Sequence, residues 1–82
     1  MATYFVVQTF QQGNKGVLIP DHARQARDLN HCKILAERMA KTSASVVAFS
    51  RVGDPSTGEW DDAVVVAKYG DVPAELLEMA AD

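Results

Sequence analysis

The chain has 82 residues, 48% of them apolar, with a formal net charge of −3 at pH 7. That length makes one small, marginally stable domain that hides roughly 60–65% of its extended-chain surface, and the apolar share excludes an intrinsically disordered chain. The single cysteine, Cys32, excludes an internal disulfide framework and a cysteine-based zinc cage.

No apolar run approaches the ~20 residues of a membrane-spanning helix, and Met1-Ala2-Thr3-Tyr4 lacks the basic start and long apolar stretch of a signal peptide. The expectation is a cytoplasmic protein without a membrane partner. Charge is unevenly spread. Residues 1–52 carry seven Lys or Arg against Asp21, Asp28 and Glu37, whereas residues 53–82 carry Lys68 against eight acids.

In chain order, Thr3–Phe10 comes first, with Phe5 and Val7 on one side and Tyr4, Val6 and Phe10 on the other. That is strand chemistry with both faces apolar. Gln11–Gly16 is a turn or loop, and Val17-Leu18-Ile19 is a short extended piece that could close a hairpin with the first strand. Asp21 is a candidate N-cap, since its carboxylate can accept from unpaired first-turn amides. A helix of about twenty residues is predicted from there to Lys41 or Thr42, with Leu29, Cys32, Ala36, Met39 and Ala40 as its apolar stripe and Leu35 on the flank.

Ser43–Val52 and Ala63–Tyr69 read as the second and third strands, joined by Gly53-Asp54-Pro55-Ser56-Thr57-Gly58, a turn rich in Gly and Pro. Gly70-Asp71 stops the sheet. Asp71-Val72-Pro73 looks like the start of a short terminal helix lined by Val72, Leu76, Met79 and Ala80. The predicted fold class is α+β, in the order β-α-β-β-α: a three-stranded sheet of order 1-3-2 with one long helix on one face and a short C-terminal helix. The third strand, the most continuously apolar, is placed in the middle, with the outer strands parallel to each other. Val65 and Tyr69 then point one way and Val64 and Val66 the other. Strands apolar on both faces are normally covered on both, so one sheet surface is left seeking a partner, and a homodimer is expected.

The sharpest candidate binding pattern is Arg24, Arg27, His31, Ile34, Arg38 and Lys41, whose spacings of three and four put all six on one stripe of the predicted helix. Structurally this is a solvated helix face, with Glu37 pairing to Lys33 and Lys41. Functionally it suits an acidic protein partner or a phosphate backbone. An overall pI of 5.2 argues against nucleic acid.

The turn gathers Asp54, Ser56, Thr57, Glu59, Asp61 and Asp62 around Trp60. Its carboxylates lack the alternating spacing of a calcium loop, so it reads as turn chemistry. Trp60 is either a contact hot spot or a lid folded over the hairpin. His22 and His31, nine residues apart on the predicted helix, point about 180° apart and cannot share a metal. Cys32 reads as a small core residue rather than a nucleophile. Gly13-Asn14-Lys15-Gly16 is no phosphate loop, because no helix follows the lysine.

Residues 48–65, Ala48-Phe49-Ser50-Arg51-Val52-Gly53 through Trp60 to Val65, continued by Tyr69-Gly70-Asp71-Val72-Pro73, resemble a segment of small bacterial single-domain proteins of unknown function. The resemblance implies a bacterial, free-standing domain and no activity, cofactor or site residue. The sequence thus supports a non-enzymatic interaction module, with no catalytic set, cofactor or metal, that is homodimeric through its sheet. The alternative is a nucleic-acid accessory protein using the basic stripe.

Overall fold

The computed structural model describes residues 1–70. The chain runs through β1 (Ala2–Gln12), a single 3-10 turn (Asn14–Gly16), β2 (Leu18–Pro20), β3 (Arg24–Ala26), α1 (Leu29–Ala40), β4 (Ser45–Asp54), β5 (Glu59–Trp60) and β6 (Val64–Tyr69). Six antiparallel strands make one sheet, curled into a half-barrel.

β1 and β4 are the backbone of this sheet. They pair over nine positions, from Ala2 opposite Gly53 to Phe10 opposite Ser45. Each outer edge is assembled from two short pieces. β2 pairs with the end of β1 and β3 with its middle, and β5 and β6 pair in the same way along β4.

This corrects the expected three-stranded sheet of order 1-3-2. The strand expected in the middle, β6, lies at an edge and pairs with β4, and the central places fall to β1 and β4. Among the described residues no pair is parallel. β2, β3 and β5 are two or three residues long, too short to show a period of two in the sequence. The Gln11–Gly16 loop does close a hairpin: the Gly13 N–H donates to the Val17 carbonyl at 2.6 Å, and Gln12 lies opposite Leu18.

The helix is the second correction. It spans twelve residues, and its N-cap is Asp28, not Asp21. The Asp28 carboxylate accepts from the His31 N–H at 2.8 Å, while His31 Nδ1 accepts from the Arg27 N–H at 3.0 Å. This is half of a capping box: the cap side chain bonds the third helical N–H, but the His31 ring reaches the N–H of the residue before the cap rather than the cap's own. Asp21 instead accepts from the N–H of His22. Arg24-Gln25-Ala26 is a good helix former by composition, yet it pairs with Val7-Val6-Phe5 as β3. Pairing with the edge of β1 overrides a propensity of a few tenths of a kcal/mol per residue. The expected C-terminal helix lies outside the described residues.

Alternation along β1 and β4 sorts their side chains onto two faces. Toward α1 point Phe5, Val7 and Thr9 with Val46, Ala48 and Ser50; away from it point Tyr4, Val6, Gln8 and Phe10 with Ser45, Val47, Phe49 and Arg51. The core joins Val7, Ala26, Val46 and Ala48 of the sheet to Cys32 and Ala36 of the helix, with Phe5, Leu35, Met39, Ala40, Val66 and Ala67 packed around it. Full burial of a valine contributes about 1.5–3 kcal/mol, so Val7 and Val46 rank among the main contributors to stability.

On the face away from α1, Phe10 and Val47 are buried, and Tyr4, Val6, Phe49, Trp60 and Val65 are half-buried. A register shift between Ala48 and Phe49 reorders β6: Val65 lies opposite Phe49, whereas Tyr69 lies opposite Val46. The two therefore sit on opposite faces, against the expectation that they share one.

Candidate interaction surface

The six-residue stripe expected on the helix does not form as one strip. Arg24 belongs to β3, Arg27 lies in the loop before the helix, and Lys41 caps its C-terminus. His31, Ile34 and Arg38 alone stand within α1. Ile34 is 41% exposed. The His31 ring turns back to the helix N-terminus, where its Nδ1 is occupied by the cap.

Trp60 sits at the far end of the sheet, opposite Gly53. Its indole lies directly over the Gly53 backbone: a Cβ there would run into the ring and come within 2.7 Å of the Glu59 carbonyl oxygen. Tyr4 flanks the ring with centroids 5.4 Å apart and a 39° tilt. The Arg51 guanidinium carbon lies 5.7 Å from the ring centroid, and Tyr4 and Arg51 are themselves cross-strand neighbours. Contacts of these two kinds contribute about 0.5–1.5 and 0.5–1 kcal/mol. Trp60 is thus a half-buried lid that pins β5 to the ends of β1 and β4. Gly53 was the sequence signal for this cluster, because a glycine inside a strand marks a close approach.

The turn behind Trp60 is closed locally. Asp54 Oδ1 accepts from the Ser56 hydroxyl at 2.6 Å and the Ser56 N–H at 2.9 Å. The Asp54 carbonyl accepts from the Gly58 N–H at 2.9 Å, with Gly58 at φ 75°. The Ser56 hydroxyl, then its N–H, hold the Asp54 carboxyl below the usual carboxylate range. Among the described residues no three His, Cys, Asp or Glu side chains are grouped to hold a metal ion. Cys32 is buried in the core, its Sγ 3.9 Å from the Val6 carbonyl oxygen, and burial pushes its thiol pKa up. That is the reverse of what a nucleophile needs.

The surface that sequence reasoning misplaced is the edge of β6. Among the described residues this strand pairs with β4 alone, so its outer N–H and C=O groups have no strand beside them. Val64 at one end is 59% exposed and Tyr69 at the other 37%. Lys68 was the available signal, since lysine within an apolar run is a common device of edge strands.

Among the described residues no helix is long and apolar enough to cross a membrane. No protein-family model, curated protein or solved structure matches the chain. The likeness drawn on residues 48–73 therefore brings no activity and no site residue with it.

Proposed function

We propose that the chain is a small non-enzymatic interaction module of the cytoplasm, acting as a homodimer held through its sheet. The observation that carries this reading is β6: six apolar-rich residues that, among the described residues, pair on one side only and end in two exposed apolar side chains. Such an edge recruits another strand, because main-chain hydrogen bonds supply affinity whatever the sequence. A second copy satisfies both edges at once, since a two-fold contact uses the same patch on each chain. The chemistry of the histidine and thiol supports the non-enzymatic part, with His31 engaged in a cap and Cys32 sunk in the core.

The outer helix surface at His31, Ile34 and Arg38 is the place proposed for an acidic protein partner, on the strength of exposed Ile34 between two basic-type residues. The nucleic-acid alternative has lost its continuous stripe, and the chain as a whole is acidic.

Light scattering coupled to size exclusion tests the dimer. At micromolar concentration the expected mass is twice the 8.9 kDa of one chain. Val64→Lys, which puts a charge at an exposed edge position, is expected to return it to one chain mass with the fold intact. A wild-type mass of one chain overturns the reading.

A further inference from the structure

We propose that the second copy docks antiparallel along β6 in one defined register, Val64 of each copy opposite Tyr69 of the other. This rests on the dimer reading above and names its geometry. The two six-stranded sheets would then run on as one of twelve strands (6 from each copy).

The register follows from an irregularity in the strand. Val65 pairs with Phe49 and Lys68 with Val47, so both lie on the face away from α1. Val64 pairs with Ser50 and Tyr69 with Val46, on the helix face, and Val66 and Ala67 pack against the helix-side core. Faces therefore do not simply alternate along β6: two consecutive residues, Val66 and Ala67, lie on the helix side. Residues opposite each other in an antiparallel pair share a face.

With Val64 opposite Tyr69, Val65 falls opposite Lys68 and Val66 opposite Ala67, and every pair agrees. Sliding the copy by one or two positions in either direction sets a helix-side residue against an open-face one. Val65 meets Val66 or Ala67 on one side, and Lys68 meets Val66 or Ala67 on the other.

Charge agrees with the same register. Lys68 is the strand's one charged residue and faces Val65 of the second copy, so the two lysines never oppose each other, a destabilising arrangement.

Disulfide trapping tests the register on the full chain. In Val64→Cys/Tyr69→Cys, the two new thiols of one copy are about 17 Å apart along an extended strand, too far to join each other. In the proposed register each lies beside its complement in the other copy. Under mild oxidation the double variant is expected to give about tenfold more covalent dimer than either single variant. Wild type is expected to give none, because Cys32 is buried. Val65→Cys/Lys68→Cys reads the same register from the other face, and settles it should the first pair disturb the fold. A light-scattering dimer that neither pair can trap, or that Val64→Cys alone traps, overturns the register and leaves the dimer standing. A light-scattering monomer overturns both.

Discussion

The edge along β1 is two three-residue strands, β2 and β3, parted by Asp21-His22-Ala23 and carrying Pro20, Arg24 and Gln25. The edge along β4 is the two-residue β5, pinned by Trp60, and then the six-residue β6 with its valines. The first edge is interrupted, sets Leu18 and Ile19 beside Arg24 and Gln25, and carries a proline with no N–H to offer a neighbour; interruption and proline are devices that keep edges from pairing. Yet it is tied into the core, because Ala26 is 5% exposed and packs against Val7 and the helix. β6 has the longer uninterrupted run, while both edges expose apolar side chains, Val17 and Ile19 beside β1 and Val64 and Tyr69 beside β4. The edge along β1 is broken into short strands; the edge along β4 offers one continuous run, with Val66 and Ala67 packed on the core and Val64 and Tyr69 at its exposed ends.

Charge placed on each edge separates the two roles most strongly. Ala26→Asp sets an unpaired carboxylate in the core and is expected to cost about 3 kcal/mol or more, a large share of the stability of so small a domain. Val64→Asp on β6 is expected to stay within about 0.5 kcal/mol for the single chain. Urea unfolding of both variants, at a concentration where the protein is monomeric, checks the contrast. Equal losses would mean that the two edges are equally built in.

A smaller effect is expected where β5 meets β4. Gly53→Val pushes a branched side chain into the Trp60 ring and the Glu59 carbonyl, costing about 1–3 kcal/mol. It should also shift Trp60 fluorescence as the lid lifts from Tyr4 and Arg51. An unchanged emission spectrum would show that the ring does not rest on Gly53.

The smallest effect is the pH response of the turn. The Asp54 carboxyl is held below its ordinary range in the folded chain. Its contribution is therefore present above the ordinary aspartate value and is lost as pH falls through the lowered folded value. NMR titration of the Asp54 side chain should show a midpoint below that of a free aspartate, rising toward it in Ser56→Ala. Asp54 is fully exposed, so the accompanying change in stability is slight.

The long strands were legible. Thr3–Phe10 and Ser43–Val52 were recognised from β-branched and aromatic runs, and they are β1 and β4 to within a few residues. Of the expected apolar stripe, Cys32, Ala36, Met39 and Ala40 face the core, whereas Leu29 at its head is exposed. Arg24-Gln25-Ala26 was not legible as a strand, because three polar-rich residues carry no period and the neighbour that recruits them, Val6, lies eighteen or more positions earlier. The candidate site divided in the same way. Trp60 was singled out, but Tyr4 beside it comes from a strand far away in the chain, and only the pairing of β1 with β4 brings it there. The continuous apolar run of β6 suggested a centre when it marked an open edge.

By itself the sequence determined two long strands, an amphipathic helical stretch between them and a Gly- and Pro-bearing turn. Those features follow from side-chain periodicity and turn chemistry within a dozen residues. Only the tertiary structure decided which strands lie at the centre, where the helix begins and which strands form the edges. Those outcomes turn on which backbone groups find partners across the sheet, and a strand's own composition does not record who lies beside it.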